Sequence, residues 1–199
     1  MRLLTQNQAK ELDHLAMEEY NIKGTQLMES AGLAIAKLAM NKIADIHDPH
    51  IVVLCGKGNN GGDGFAAAVE LHKKCIRVFV FCISTFEEIT GDAKYFLELC
   101  IKGNLKIEFS GDLLDKSYRC DLIIDALLGT GVRGSVKKNI IPWIEWINEN
   151  NCLVLSVDIP TGLQADSGIA EPVGVKANYT VTMGYAKLGI TMRQGPFLA

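Results

Sequence analysis

Three glycine-rich loops carry the side chains of this sequence that could bind ions or transfer protons. They read GKGNNGGDG at residues 56–64, GTGVRGS at 129–135 and TGLQADSG at 161–168. Asp125 and Asp158 stand shortly before the second and third loops. Glycines let backbone N–H groups converge on an anion, whereas amide and carboxylate oxygens bind hard cations and carboxyl groups move protons. These residue types predict phosphate binding, cation binding or acid–base chemistry.

The first loop matches the common nucleotide-binding patterns only in part. Gly56, Gly58 and Gly61 satisfy G-x-G-x-x-G after an apolar segment. The dinucleotide-binding pattern also needs an acidic residue about 20 positions later, and the next apolar segment, FVFCIS, offers none. The Walker A pattern needs Gly-Lys-Ser/Thr, which GGDG lacks. Neither standard loop fits, although both rest on backbone amides and a helix dipole that face an anion.

The polar residues of the first loop leave two interpretations open. The oxygens of Asn59, Asn60 and Asp63 could hold a cation, or Asp63 could cap the following helix while the asparagines form the turn. Asp125 and Asp158 each stand at the end of an apolar segment. One such aspartate is commonly a cap, but two that face the same loop across one predicted sheet edge favour a site.

Alternating apolar and helical segments would bring the three loops together. Short β-branched runs predict strands at residues 51–55, 76–83, 105–109, 121–129, 152–160 and 179–183, and helices are predicted near 63–74, 91–101 and 137–149. At the N-terminus, Thr5 and Gln8 match a capping box before one helix, and Thr25 is placed to cap a second.

This order of elements predicts an α/β fold. We expect a Rossmann-like, doubly wound, mostly parallel sheet with helices on both faces and two extra N-terminal helices. Ligands of such sheets bind at the carboxyl ends of the strands, and all three loops follow predicted strands. The loops are therefore expected to meet at one edge of the sheet.

Composition limits the classes of function. The 199 residues fit one domain, 1–199, and 48% of them are hydrophobic, which is enough for a sizeable core. A net charge of −3 argues against a broad nucleic-acid or membrane-surface footprint, and no apolar run approaches the ~18 residues of a membrane-spanning helix. The six cysteines form no C-x-x-C pair, so we expect reduced thiols in a cytoplasmic protein.

Two further features have both a functional and a structural interpretation. Arg133 in the second loop could pair with a ligand phosphate, or it could be an exposed loop charge. Trp143 and Trp146 lie three residues apart on a predicted helix, a spacing that favours packing over a stacking platform.

The chain contains, between about Gln6 and Leu188, the segments LMESAGLAIA, GKGNNGGDGFAAA, DLIIDALLGTGVRG and VLSVDIPTGLQADSG. In this order and spacing they resemble the YjeF N-terminal domain family, the NAD(P)HX epimerases. The resemblance implies a Rossmann-like, usually dimeric enzyme that interconverts the R and S forms of NADHX and NADPHX. These are nicotinamide cofactors hydrated at C6, which a separate or fused dehydratase then repairs.

The resemblance also carries an alternative function and a set of site residues. Some members are non-catalytic scaffolds that dimerise and contact RNA, but this chain keeps the polar residues that a scaffold could lose. The family's substrate contacts fall on Asn59, Asn60, Gly61, Gly62, Asp63, Gly129, Thr130, Gly131, Val132, Arg133, Gly134, Ser135 and Asp158. Its potassium ion would be held by Asn60, Asp125 and Thr161. Asp158 is our choice for the catalytic acid–base group.

The sequence departs from the family's pattern at three places. Lys57 stands where proline is common, and Thr161 stands where serine is common but keeps the hydroxyl that a potassium site needs. The family usually continues past KLGI and GP into a final strand, whereas this sequence stops at Ala199. We therefore expect a single domain that stops before a final strand or before a fused dehydratase domain.

Overall fold

The computed structural model describes residues 2–109, 118–132 and 134–199. Its elements, in chain order, are β1 (Leu3–Leu4), α1 (Gln6–Glu18), α2 (Gly24–Lys42), β2 (His50–Cys55), α3 (Asn59–Lys73), β3 (Arg77–Cys82), α4 (Gly91–Lys102), β4 (Lys106–Phe109), β5 (Leu122–Ala126), α5 (Ile141–Glu149), β6 (Leu153–Val157), β7 (Tyr179–Val181), β8 (Ala186–Lys187) and α6 (Gly195–Leu198). Short 3₁₀ turns cover Phe86–Glu88 and Leu188–Thr191.

The main sheet confirms the predicted α/β architecture. Among the described residues it has six strands in the order β4-β3-β2-β5-β6-β7, and all neighbouring strands are parallel. The chain winds outward from β2 to β4 on one side and from β5 to β7 on the other. The direction reverses between β2 and β5, and the connections after these two strands therefore diverge and leave a crevice.

Helices cover both faces of the sheet, as predicted. Along β2, Val53 points into the core layer formed with α2, α3 and α4, where Phe65 and Phe96 are buried. Val52 points the other way and packs in the layer that contains Trp143 and Trp146 of α5. Burial on both faces explains why the strand reads as a continuous apolar run, and both tryptophans serve packing.

The N-terminal helices confirm one capping prediction and overturn another. The N–H of Gln8 donates to Oγ1 of Thr5 (3.2 Å), and the N–H of Thr5 donates to Oε1 of Gln8 (2.9 Å), which completes the capping box of α1. The prediction that Thr25 caps α2 is wrong, because the helix begins one residue earlier. Its first turn is instead closed by the N–H of Lys23, which donates to Oε1 of Gln26 (2.9 Å).

The boundaries of three further elements differ from the sequence-based ones. Helix α3 begins at Asn59, four residues before the predicted start, and α5 begins at Ile141 after a turn. Residues 179–183 do not form the last strand, because β8 follows and pairs in parallel with β1, with Leu4 opposite Lys187. A strand of two residues has no readable alternation, so its sequence gave no signal.

The cysteines are free thiols, in agreement with the expectation of a reduced protein. Cys55, Cys82 and Cys100 are buried, and the Sγ atoms of Cys120 and Cys152 lie 3.5 Å apart at the starts of β5 and β6. Within the described ranges, no helix combines the length and apolarity needed to cross a membrane.

Candidate functional site

The carboxyl ends of β2, β5 and β6 open into a cavity of about 890 Å³. This volume is in the usual range of ligand sites, ~300–1,000 Å³. The predicted site residues that line it are Asn59, Asn60, Asp63, Gly129, Thr130, Gly131, Val132, Ser135 and Asp158. The tertiary structure therefore brings the first two loops and the strand-end residue Asp158 to one cavity at the expected edge of the sheet, whereas no residue of the third loop, 161–168, lines it.

The first loop is shorter than the sequence indicated, because α3 starts at Asn59. Asp63 is consequently the fifth residue of the helix, which rules out the alternative that it caps the N-terminus. The N–H of Gly62 donates to the carbonyl of Gly58 (3.0 Å) inside the first turn. The amides left for an anion are those of Gly58 and the first three helical residues, where the helix dipole also favours negative charge.

The glycines of this loop have two different structural reasons. A Cβ at Gly61 would overlap the carbonyl oxygen of Gly56, and one at Gly62 would lie 2.6 Å from the side chain of Met28. These two glycines are buried and serve close packing inside the protein. At Gly58 of this loop and at Gly131 of the second loop, in contrast, an added Cβ would meet no described atom within 4 Å. Both of these residues line the cavity. Only the latter pair matches the expected role of letting a ligand approach the backbone.

The second loop borders the cavity through its first half. An added Cβ at Gly129 would lie 2.8 Å from Oδ1 of Asn60, so the loop packs directly on the start of α3. Gly134 is exposed at a φ of 71°, and its carbonyl accepts from Nε2 of Gln164 (3.1 Å). The predicted phosphate partner Arg133 lies outside the described residues.

Asp125 and Thr161 form a buried hydrogen-bonded pair beneath the two loops. Oδ1 of Asp125 accepts from the hydroxyl of Thr161 (2.6 Å), and Oδ2 accepts from the N–H of Thr161 (2.9 Å) and the hydroxyl of Ser156 (2.8 Å). Complete burial raises the pKa of Asp125, and these hydrogen bonds oppose the rise. The carboxyl group, on β5, is therefore held by donors from β6 and the loop that follows it.

Asn60, the third predicted cation ligand, lies at the start of α3 and packs against Gly129 of the second loop. Nδ2 of Asn60 is buried and has no hydrogen-bond partner among the described residues. Because the nitrogen and oxygen of an asparagine amide can be exchanged by a flip, the same position could present an oxygen instead. The other groups that could coordinate a cation here are all oxygens: the carboxyl of Asp125, the hydroxyl of Thr161 and the carbonyl of Leu128. The Leu128 carbonyl lies 3.1 Å from the Thr161 hydroxyl. Such a set fits a hard monovalent or alkaline-earth cation better than zinc.

Asp158 reaches the cavity wall through an unusual backbone conformation. Its φ is 65°, in the left-handed region, which aspartate tolerates better than most residues. Its N–H donates to the carbonyl of Val181 (2.7 Å), so the turn is tied to β7. Only 8% of the residue is exposed, and Oδ1 accepts from the N–H of Met183 (3.3 Å). Backbone strain of this kind is concentrated at functional sites, where it fixes the direction of a side chain.

Lys187 forms an ion pair with Asp158 that sequence reasoning missed. The lysine is 2% exposed, and its Nζ donates to Oδ1 of Asp158, to Oγ1 of Thr182 (3.2 Å) and to the carbonyl of Met183 (2.9 Å). Its position on β8 is fixed by the pairing of that strand with β1. The segment YAKLGI gives no sign that its lysine is buried.

Two more carboxyl groups approach this ion pair closely enough for their charges to interact. Burial raises the pKa of Asp63 well above its usual range, Asp158 and Asp13 raise it further, and Lys187 lowers it. Burial also raises the pKa of Asp13 on α1, where Lys187 acts to lower it and Asp158 to raise it. Asp13 was not predicted, since nothing in its sequence surroundings indicates contact with residues nearly 150 positions away.

The lysines at the rim of the cavity are exposed. Nζ of Lys57 lies 3.1 Å from Oε1 of Glu88, and both side chains face solvent. The hydrogen bond from Lys57 lowers the pKa of Glu88. Lys10 and Lys137, which were not predicted, also line the cavity. The rim thus offers positive charge to an anionic ligand without a lysine built into the loop in the manner of a Walker motif.

The sequence that contains these loops matches a known family. A family model described as YjeF-related protein N-terminus matches residues 24–189. The chain belongs to this family. The match spans the part of the YjeF-related fold that contains all three loops, and relatives with this domain are found among named proteins.

Several relatives of this YjeF-related chain have functional names. An NAD(P)H-hydrate epimerase of Elusimicrobium minutum is 33% identical over 95% of this chain and 88% of its own length. One of Rhodopirellula baltica is 31% identical over 94% of this chain and 76% of its own length. A bifunctional NAD(P)H-hydrate repair enzyme Nnr of Thermofilum pendens is 36% identical over 98% of this chain, but the chain spans only 38% of that relative.

A solved structure supports the fold. The crystal structure of yeast ynu0, YNL200c, superposes with a TM-score of 0.84 and covers 98% of this chain and 85% of the yeast chain. The two sequences are 22% identical, so this likeness concerns the architecture.

Proposed function

We propose that this protein interconverts the R and S forms of NADHX and NADPHX and so prepares the hydrated cofactors for repair. The observation that carries the proposal is the position of Asp158. Its carboxyl group stands at the wall of a cavity of about 890 Å³ that the amide-rich start of α3 also lines. Relatives of similar length bear the name NAD(P)H-hydrate epimerase, which supports the choice of substrate.

The chemistry of the substrate explains why a carboxyl group suffices. C6 of the hydrated nicotinamide carries a hydroxyl and is bonded to the ring nitrogen. Protonation of that hydroxyl lets it leave as water while the nitrogen lone pair stabilises the positive charge at C6. Water then adds to the opposite face and gives the other epimer. A carboxyl group within hydrogen-bond reach can donate and accept the protons of both steps, and we assign this role to Asp158.

The phosphates of the substrate would lie on backbone amides. Gly58 and the first residues of α3 present N–H groups and the positive end of the helix dipole to the cavity. Gly131 leaves the facing loop equally open. Asn59, Thr130 and Ser135 add polar side chains at the same wall, and the exposed rim lysines contribute long-range attraction.

A direct test follows the two epimers by chromatography. A mixture enriched in one epimer of NADHX should relax to the equilibrium ratio with the protein and stay unchanged without it. Asp158→Asn keeps the left-handed turn, since asparagine tolerates it, and should lower the rate by about 10²–10⁴-fold, the usual effect of losing an acid–base group. Near-wild-type turnover of this variant would rule out the role of Asp158, and an inert wild-type protein would refute the activity itself.

We also propose that a potassium ion binds among Asn60, Asp125 and Thr161. The support is the all-oxygen donor set and the buried amide of Asn60 that lacks a described partner. When bound, the ion would supply positive charge close to the anionic ligand. Potassium should raise the melting temperature more than equal concentrations of sodium, and Thr161→Val should abolish the difference. Equal responses to both salts would contradict a potassium-selective site.

The remaining partners are also proposals. Helix α1 buries only Gln6 among its residues and leaves Leu12, Leu15 and Met17 exposed, which supports a homodimer whose contact includes this helix. Light scattering would show twice the 21.7 kDa chain mass, and a monomer at micromolar concentration would contradict it. The free cysteines support a reducing compartment such as the cytoplasm. A dehydratase, separate or fused, would consume the product.

A further inference from the structure

We propose that Asp63 is a second catalytic residue, which donates the proton to the departing hydroxyl, while Asp158 accepts the proton of the incoming water and Lys187 sets this division of roles. The inference rests on the proposed epimerase activity and goes beyond the single acid–base group assigned above. It divides the two proton transfers between two carboxyl groups on different walls of one cavity.

The two carboxyl groups come from different sides of the site. Asp63 lies on the first turns of α3, beyond the carboxyl end of β2, whereas Asp158 lies at the end of β6. Both line the cavity, and between these two strands stands β5. A flat ring bound between them would present one face to each carboxyl group. Epimerisation needs this arrangement, because the hydroxyl leaves from one face and water adds to the other.

The surroundings of the two groups are unequal. Asp158 has a buried ammonium group as a direct partner, and that ammonium is anchored by Thr182 and Met183. An ion pair of this kind favours the ionised carboxylate. No described hydrogen bond or ion pair involves the carboxyl of Asp63. It faces Asp13 from α1, Asp158 from the end of β6, Lys187 from β8 and the thiol of Cys55 from β2.

Charge balance then leaves Asp63 with the proton. Asp63 and Asp158 are largely removed from solvent beside one ammonium group, and Asp13 adds negative charge from the exposed helix α1, so full ionisation would place an excess of negative charge at the site. Like charges at a buried site force one or more groups to stay neutral. Lys187 donates directly to the carboxyl of Asp158, whereas burial raises the pKa of Asp63 well above its usual range. Pairs of carboxyl groups with opposed environments commonly divide acid and base roles.

The proton balance of the cycle closes. The C6–O bond breaks, its electron pair leaves with oxygen, and Asp63 supplies the proton that makes this oxygen a water molecule. The nitrogen lone pair forms the C=N⁺ bond. A second water then attacks C6 from the opposite face, returns the electrons to nitrogen and transfers its proton to Asp158. One proton must pass back from Asp158 to Asp63, and the waters of the open cavity can carry it. The reverse reaction uses the opposite protonation states of the same pair.

The test is the pH dependence of kcat/KM for epimerisation in the wild type and in Asp63→Asn, Asp158→Asn and Lys187→Met. The wild type should give a bell-shaped profile, because activity requires one protonated and one ionised carboxyl group. Asp63→Asn should lose about 10²–10⁴-fold in rate and lose the high-pH limb, since the group that must stay protonated is gone. Asp158→Asn should lose the low-pH limb instead.

Lys187→Met tests the role of the lysine separately. The substitution removes the direct hydrogen-bond donor to the Asp158 carboxyl, so the low-pH limb of the profile should move to higher pH. Lys187→Arg keeps the charge and should return the low-pH limb of the kcat/KM profile toward its wild-type position. Glu70→Gln, on the same helix as Asp63 but paired with Lys73 (2.6 Å), is the matched control and should leave the profile unchanged.

The outcomes separate this inference from the proposed function. A wild-type protein without epimerase activity refutes the proposed function and this inference with it. An active wild type together with an Asp63→Asn variant that keeps its rate or its high-pH limb refutes only the role of Asp63. Binding of NADP⁺ to each variant, measured by calorimetry, verifies that the site is folded. Asp63→Asn should melt close to the wild type at neutral pH, since its amide is uncharged like the protonated carboxyl that it replaces.

Discussion

The contrast between Gly58 and Gly62 tests whether the ligand rests on bare backbone. Both glycines belong to the same loop, but only Gly58 faces open space in the cavity, whereas a Cβ at Gly62 would lie 2.6 Å from the side chain of Met28 and 3.0 Å from Cα of Ala93. Replacement by alanine adds one methyl group in each case. The two variants should therefore differ in which property they lose, ligand affinity or stability.

The magnitude for Gly58→Ala follows from its backbone and its position before the helix. Its φ of −92° and ψ of −168° are accessible to alanine, so the loss of unfolded-state freedom stabilises the protein by about 0.4–1 kcal/mol. Alanine is a poorer N-cap than glycine by a similar amount, roughly 0.5–1 kcal/mol, so the two effects nearly cancel. A methyl group that displaces one charge-assisted hydrogen bond to phosphate costs about 1.5–3 kcal/mol. At ~1.4 kcal/mol for each tenfold change, the affinity should fall by about 10- to 100-fold.

Gly62→Ala should show the reverse pattern. Overpacking of a buried position costs typically ~1–3 kcal/mol, and ~1 kcal/mol lowers the melting temperature of a chain of this size by about 2–4 °C. Titration of NADP⁺ by calorimetry and thermal unfolding without ligand measure the two properties. If Gly58→Ala binds NADP⁺ like the wild type, or if it melts as early as Gly62→Ala, the proposal that the ligand lies on the amides of this loop is wrong.

Two other residues give sharp contrasts. Lys57→Ala should weaken NADP⁺ binding by less than about fivefold, because a surface charge contributes no more than ~1 kcal/mol. The Lys57 side chain is exposed and paired with Glu88. Abolished binding in the same titration would show that side-chain charge dominates ligand binding by the loop. Thr161→Val should destabilise the protein by about 1–3 kcal/mol in urea unfolding because it removes the hydroxyl that donates to Oδ1 of the buried Asp125 carboxyl, whereas Thr161→Ser keeps the hydroxyl and should stay within ~1 kcal/mol of the wild type. Equal stability of the valine and serine variants would contradict the importance of that hydrogen bond.

The sequence by itself determined the architecture and the location of the site. Continuous apolar runs such as IVVLC can only be strands buried on both faces, and their alternation with helices requires parallel connections. Because parallel strands end at one edge, the loops that follow β2, β5 and β6 had to meet there. The convergence of Asn60 and Asp158 on one cavity was therefore predictable from local pattern alone.

The structural roles of the individual glycines could not be predicted from the sequence of the first loop. GKGNNGGDG suggested that Gly58, Gly61 and Gly62 make room for a ligand, but Gly61 and Gly62 make room for Gly56 and Met28 instead. The start of α3 decides which amides stay free, and that start depends on how closely the helix packs against β2 and α2. Propensity cannot fix such a boundary, since glycine and asparagine favour the turn that the tertiary packing overrides.

Only the tertiary structure decided the electrostatics of the site. Lys187 comes from a two-residue strand held by β1, and Asp13 comes from a helix at the other end of the chain. Sequence spacing carries no information on such encounters, because side chains brought together by long-range packing need no common periodicity. Their effect is nevertheless large, since a charge removed from water responds to every neighbour within a few ångströms. The sequence could name the carboxyl groups, and the fold alone assigns each of them its partner.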